Sequence, residues 1–387
     1  YFFKNKIFTD KELNKIKEEI DLKISTSYQK AKEAPFPEKS TALDFVYSDS
    51  SETYLNSNHS IINNKNMIQA THDVLDYEMG KNDKLFVLGE GIGKRGGNFS
   101  TTIGLYEKYG QLRVCDTPIC ERGFVGLACG AAMAGARPIV DFMFIDFIND
   151  AFGEIINQIA KIQYMSSGRI KMPIILRGCI GIGHSAATHH SGSYYALYSH
   201  FPGLTVVVPS NAYDAKGLFA TALNSDDPVL FLEHREIIMN KVEVPDEYYQ
   251  IQFGKANIVI AGNELTVVAI SKMVILAKEV IKELSNSYNF SIELIDPRCV
   301  SPLDYETILE SVKKTGRLII IDEEFESCSI ASQISSKICD IAFDYLDAPI
   351  KTLNGSFSPT PYSPSLESQV VPDSAIIKKK IIDMFNE

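Results

Sequence analysis

"DTPICERGFVGLACGAAMAGA", Asp116 to Ala136, places one carboxylate at the head of a segment made almost wholly of small residues. Between Gly123 and Gly135 only Phe124, Val125, Leu127, Cys129 and Met133 have bulk. Such a stretch predicts a helix that packs at close range. Glu121 is out of keeping with it. An ionised carboxylate against tight apolar packing costs several kcal/mol unless something pairs with it. The dipole at a helix N-terminus returns only a few tenths to about 1 kcal/mol. The question is therefore what Glu121 binds.

The flanks answer the question of fold. "RVCDTP" before the helix and "RPIVDFMF" after it read as strands. Further out, "MIQATHDVLDYEMGK" is helical and "KLFVLGE" is a buried strand that ends at Glu90. A long helix is expected from Phe147 to Met165, followed by the strand "MPIILRGC". Helix "SYYALYSHF", strand "LTVVVPS", helix "NAYDAKGLFATAL" and strand "PVLFLEH" complete the unit. Strands alternating with helices specify a doubly wound parallel sheet. Beyond about residue 250 the alternation restarts in a smaller α/β domain, with "LTVVAIS", "FSIELIDP", "RLIIIDEE" and "APIKTLN" as strands. The expected division is a tail and linker over 1–66, a first α/β domain over 67–245 and a second over 246–387. In the tail, Thr9 or Asp10 can cap a helix whose Leu13, Ile16, Ile20 and Ile24 form one stripe.

Composition narrows the function. The 387 residues carry a net charge of -11, which argues against unaided nucleic-acid binding and against a basic membrane-binding face. The run from Gly123 to Ala136 is too short to span a bilayer. Seven scattered cysteines, with no CxxC pair, read as reduced thiols of a cytoplasmic protein. The first residue is Tyr1 rather than Met, and the numbering is expected to begin inside a longer polypeptide.

Two glycine-rich stretches are candidates for chemistry. "GEGIGKRGG" holds Gly91-x-Gly93-x-x-Gly96 after a strand, but no apolar helix opens directly behind it, as a dinucleotide turn requires. A surface loop is the preferred reading. "THHSGS" puts His189, His190 and Ser191 beyond a strand end, where α/β sheets place ligands. Metal binding, a Ser-His hydrolase and a general acid/base are the readings. The first lacks partner ligands and the second lacks a GxSxG elbow. The third suits an imidazole, which titrates near neutral pH.

These motifs together resemble one family. "GEGIG", "RVCDTPICERGFVGLACGAAMAGARPI", "NQIAKIQYMSSG", "THHSGS" and "SHFPGLTVVVPSNAYDAKGL" are similar to the beta subunit of the thiamine-diphosphate-dependent dehydrogenase component of 2-oxo acid dehydrogenase complexes. "IDPRCVSPLD" and "KKTGRLIIIDEE" fit its second domain. The resemblance implies a transketolase-like pyrimidine-binding domain followed by a transketolase C-terminal domain.

It also implies roles. Glu121 stands where the family glutamate binds the aminopyrimidine ring and favours the tautomer that can take the thiazolium proton. Phe147 stands where an aromatic residue stacks on that ring, with Phe144 and Ile145 as neighbours. Glu90 matches the family acid near the cofactor. His190 matches the family histidine on the substrate side, while His189 replaces the usual Gln. Ile174, Ala222, Leu223, Ser225 and Asp227 match a structural potassium site, with Ser225 in place of a more usual Asp. No GDG…N motif, the Mg²⁺ and diphosphate ligand set of thiamine enzymes, occurs in the chain. That half of the site is expected from an alpha portion, and residues 1–50 resemble an alpha-subunit tail. The implied activity is oxidative decarboxylation of a 2-oxo acid with acyl transfer to the lipoyl domain of an acyltransferase core, by a dimer of alpha-beta units. Acetoin dehydrogenase and a non-catalytic assembly subunit are the alternatives.

Overall fold

A computed structural model describes residues 7–48 and 61–386. Residues 49–60, part of the stretch read as a linker, lie outside the described residues. The chain separates into two compact units, Tyr1–Asp44 and Phe45–Glu387.

The first unit is built on helix Asp10–Glu33. Thr9 caps it reciprocally: Glu12 N donates to Thr9 Oγ1 at 3.3 Å, and Thr9 N donates to the Glu12 carboxylate at 2.8 Å. The apolar stripe is present but uncovered within this unit, with Ile16 40%, Ile20 50% and Ile24 61% exposed.

Among the described residues the second unit holds all the strands. They are β1 Ile62–Lys65, β2 Leu85–Gly89, β3 Val114–Asp116, β4 Arg137–Phe144, β5 Ile175–Ile180, β6 Thr205–Val207 and β7 Val229–His234. Then follow β8 Val242–Pro245, β9 Asn257–Ile260, β10 Leu265–Ala269, β11 Ile292–Asp296, β12 Cys299–Ser301, β13 Leu318–Phe325 and β14 Lys351–Gly355. A seven-stranded sheet has the order β12-β6-β7-β5-β4-β2-β3, and a five-stranded sheet the order β14-β13-β10-β11-β9. Both are parallel except at one edge, where β12 runs against β6 and β9 against β11. β5 and β7 are buried at every residue, as parallel strands covered by helices on both faces must be.

The two α/β regions are less separate than the sequence suggested. β12 follows β11 in the chain yet completes the edge of the first sheet. One apolar cluster joins Val140, Leu176 and Leu230 of the first region to Val268, Ile295 and Ile320 of the second. Helix Met67–Lys81 is capped by Asn66, whose side chain accepts from Gln69 N at 2.9 Å.

The expected long helix from Phe147 to Met165 is not continuous. A 3₁₀ stretch, Ile145–Ala151, leads into one turn of α-helix, a π-helical stretch Ile155–Ile159 and a short α-helix Ile162–Met165. The widened turn is visible where Ala160 N donates to Ile155 O at 2.9 Å. Such widened turns recur at functional sites. All seven cysteines are free thiols. Among the described residues no helix is long and apolar enough to cross a membrane.

Candidate active site

The carboxyl edge of the seven-stranded sheet collects the residues singled out from sequence. Glu90 follows the last residue of β2, Phe144 ends β4, and the histidine loop Gly181–Ser191 leaves β5. Glu121 is the first residue of helix Glu121–Met133 and is 9% exposed. The cap residue Cys120 makes no side-chain hydrogen bond to that helix, so the helix's partial positive end falls on Glu121. Among the described residues no side-chain hydrogen bond holds the Glu121 carboxylate. Burial pushes the Glu90 carboxyl above its usual range, and the charge of Glu121 pushes it further. The two acids are therefore near enough to influence one another, and such a site suits a group able to donate protons to a carboxylate.

Helix Glu121–Met133 packs on the segment Ile145–Ala151 that carries Phe147. Phe147 and Phe144 both meet the imidazole of His190 edge to face, with centroids 5.5 Å and 4.8 Å away. Glu90, Glu121, Phe147 and His190 therefore belong to one end of one sheet. His189, by contrast, is exposed.

The histidine loop is held in a strained path. His184, Ser185 and Ala187 all have positive φ, between 52° and 60°, which non-glycine residues adopt only under constraint. Contacts from distant segments supply that constraint. Gly181 N donates to Gly192 O at 3.2 Å and Gly192 N to Asp146 Oδ1 at 3.1 Å. Thr188 Oγ1 donates to Thr360 O at 3.0 Å, and Ser185 N to Glu367 Oε2 at 3.2 Å. Burial raises the Asp146 carboxyl, and with its charge nearby, burial pushes the Tyr194 hydroxyl up to about 12.

Residues that sequence reasoning missed lie at the end of β13. Asp322, Glu323 and Glu324 follow one another there, and all three reach into the first region. Glu323 pairs with His234 at 2.8 Å and accepts from Ile182 N at 2.7 Å. Tyr195 donates to Asp322, and Ala196 N donates to Glu324 at 3.1 Å. Burial lifts Asp322 to about 6 and pushes Glu324 well above its usual range, with Asp322's charge adding. Burial also works against the Glu323 anion, but the charge and hydrogen bond of His234 outweigh it and hold Glu323 low. One charge in this row is thus kept and paired, and it fixes the start of the histidine loop. The signal was present in "IDEE": consecutive acids at the end of a buried strand need an explanation.

The glycine loop after Glu90 opens no helix; the next one begins at Leu105. Gly93 N donates to Asp116 Oδ1 at 2.8 Å, and Thr101 Oγ1 to Asp141 Oδ2 at 2.9 Å. The loop is tied down by carboxylates, which is unsuited to a pyrophosphate.

The five residues matched to a potassium site are brought together but form no open cage. Arg137 donates to Leu223 O at 3.2 Å and to Ser225 O, and pairs with Asp226 at 3.0 Å. Ile174 O accepts from Val229 N at 2.9 Å and Ala222 O from Ser225 N at 3.2 Å. The Asp227 carboxylate accepts from Ser48 N at 2.8 Å and Gln163 Nε2 at 3.0 Å. A guanidinium already supplies the positive charge there, and a second cation on the same oxygens would be repelled by it. The residues as placed do not fit the ion, and we assign none to them.

Fold and site together define a class. Residues 63–240 match the transketolase pyrimidine binding domain and residues 254–377 the transketolase C-terminal domain. A solved structure described as "Split gene transketolase, inactive beta4 tetramer" superposes with a TM-score of 0.69 at 20% identity, over 84% of this chain and 99% of that one. Among curated proteins, the chain is 44% identical over 307 residues to "Pyruvate dehydrogenase E1 component subunit beta" of Rickettsia conorii, covering 79% of this chain and 94% of that protein. It is 41% identical over 333 residues to "Acetoin:2,6-dichlorophenolindophenol oxidoreductase subunit beta" of Bacillus subtilis, covering 83% and 97%. It is 42% identical over 308 residues to the mitochondrial "Pyruvate dehydrogenase E1 component subunit beta-2" of Oryza sativa, covering 79% and 82%. The chain belongs to the family of pyruvate and acetoin dehydrogenase beta subunits.

Proposed function

We propose that this chain supplies the aminopyrimidine-binding half of a thiamine diphosphate site, in a component that decarboxylates a 2-oxo acid and passes the acyl group to a lipoyl domain. The observation that carries this reading is Glu121: a carboxylate buried at a helix start, near enough to Glu90 for its charge to raise that carboxyl, with no side-chain hydrogen-bond partner among the described residues. An acceptor so placed fits a ring nitrogen that must hold a proton. Bound thiamine diphosphate supplies the carbanion chemistry of decarboxylation. Glu121 accepts a hydrogen bond from the ring and, in a low-dielectric setting, does so strongly. Phe147 offers its face to the ring. Glu90, its carboxyl raised by burial and by Glu121, is suited to carry a proton when Glu121 does not. His190, on the constrained loop, holds or delivers a proton at its ring nitrogen on the substrate side.

The diphosphate and its Mg²⁺ find no ligand set in this half. Among the described residues no three His, Cys, Asp or Glu side chains group together as a metal site. We assign that role to an alpha portion, with alpha-beta units paired as a dimer and a lipoyl acyltransferase as acyl acceptor. The similarity to acetoin oxidoreductase subunits keeps acetoin as a second substrate reading, and turnover of pyruvate, branched 2-oxo acids and acetoin by the reconstituted enzyme separates them. His190→Ala tests the site itself. Cofactor binding should persist while lipoamide-dependent turnover falls by about 10²-fold. Unchanged turnover with both lipoamide and an artificial acceptor would return His190 to an ordinary loop residue.

A further inference from the structure

The proton-handling role of His190 belongs to the function proposed above; how its ring is held is a separate question. Among the described residues no hydrogen bond reaches the imidazole. Its surroundings are aromatic. Phe144 lies 4.8 Å away at 85° and Phe147 5.5 Å away at 88°, and the two phenyl rings are themselves at 85° with centroids 6.4 Å apart. Three nearly perpendicular rings form a corner that leaves the imidazole little freedom to tilt.

Phe144 is in turn held by two further neighbours. Phe99, on the glycine loop, meets it edge to face at 5.4 Å. The guanidinium of Arg235, one residue beyond β7, lies 5.2 Å from its centroid. Arg235 is 5% exposed, and its Nε and Nη2 are buried without an acceptor, while Nη1 donates to Gly183 O at 3.2 Å. No carboxylate hydrogen-bonds to this cation, although the charges of Asp146, Glu323 and Glu367 act on it from further off, and the guanidinium lies against the ring within cation–π range. One side chain therefore grips both the root of the histidine loop and the phenyl ring that bears on His190. Phe144 and Arg235 also wall a cavity of about 720 Å³, shared with Asn98, Phe99 and His184.

We propose that Phe144 and Arg235 are positioning residues for His190: Arg235 fixes Phe144 and the loop at Gly183, and Phe144 sets the angle of the imidazole. A cation over an aromatic face is attracted to it, and perpendicular ring pairs prefer this separation. Proton transfer depends on where the ring nitrogen points, so a small tilt is felt in rate more than in binding.

The test is an NMR measurement on the full chain carrying labelled histidine. His190→Gln identifies the His190 signals among those of the seven histidines. Ring protons directed at phenyl faces should be displaced upfield from the free-histidine position. Phe144→Leu should return them toward it, and Phe144→Tyr should leave them in place. Arg235→Met should also shift them, and Arg235→Lys should restore much of the displacement. The Met variant removes the charge while keeping an apolar stem of similar length, and Arg235→Lys keeps the charge, so the two variants separate loss of the charge from loss of packing. In the reconstituted enzyme, Arg235→Met should lower kcat with lipoamide by about tenfold or more, with little change in KM for the 2-oxo acid. His190 signals at the free-histidine position in the wild type, or unmoved in Phe144→Leu or Arg235→Met, would overturn the proposal. The NMR result does not depend on activity, so it stands or falls apart from the catalytic role given to His190.

Discussion

Replacing Glu121 by Gln changes one charge at a site where the structure separates stability from function. On the stability side the terms are small and opposed. The helix N-terminus loses a favourable anion, about 0.3–1 kcal/mol. Against this, a buried ionised group with no side-chain partner is removed, and Glu90 is relieved of the neighbouring charge that helps raise its carboxyl. A carboxyl raised by folding binds its proton more tightly in the native state. Its penalty is therefore absent at low pH and develops as pH rises from the unfolded value through the folded one. Glu121→Gln should shrink that penalty, so the net change in stability near neutral pH should stay within about 1 kcal/mol. Function should respond very differently. An amide cannot accept and release the ring proton as a carboxylate does, and loss of such a group costs at least ~10² in rate, or ~2.7 kcal/mol in barrier. Melting curves of the variant, turnover with an artificial acceptor, and the Glu90 carboxyl titration followed by NMR read the three effects. Turnover above about a tenth of wild type, well short of that loss, would refute the assignment of Glu121. A Glu90 titration unmoved by the substitution would refute the influence of Glu121 on Glu90.

Two further substitutions probe the frame that holds the site. Glu323→Gln breaks the buried pair with His234 and should lower unfolding free energy by about 3–5 kcal/mol in urea titrations; because Glu323 is held low in the native state, the wild-type contribution is present above the ordinary glutamate range and lost as pH falls through the folded value, so the two proteins should converge in acid. Arg177 and Glu233, joined at 2.7 Å and 3.1 Å across β5 and β7 and nearly inaccessible, should behave as a unit: Arg177→Met alone destabilises by about 3–5 kcal/mol, and adding Glu233→Leu recovers most of it. A single variant as stable as wild type would contradict the pairing.

The alternation of strands and helices was legible because most strands of the two large sheets are short, apolar and bounded by glycine or polar residues. Met67–Lys81 and Arg137–Phe144 fall where the pattern places them. Glu121 was legible because a charge beside tight small-residue packing is conspicuous in any context. What escaped was non-local. Nothing near Cys299 announces that its strand crosses to the edge of the other sheet, since that choice is made by the partner strand β6. The clamp of Glu323 on Ile182 and His234 joins segments far apart in sequence. The π-helical turn at Ile155–Ile159 keeps the same apolar spacing as a regular helix, so period alone could not reveal it. Two of the carbonyls matched to a cation, those of Leu223 and Ser225 at the end of a helix, were engaged by Arg137 from the start of β4.

The central claim is that this chain carries the ring-binding half of a shared site and not the diphosphate half. Calorimetric titration of thiamine diphosphate with Mg²⁺, first into the 387-residue chain and then into the chain mixed with its alpha partner, tests that claim most directly. A diphosphate lacking a metal or a helix N-terminal cradle has no electrostatic anchor. The account predicts no tight binding by the chain alone and magnesium-dependent binding, at about micromolar Kd or -8 kcal/mol, once the partner is present. Magnesium-dependent binding of about micromolar strength by the chain alone would contradict it.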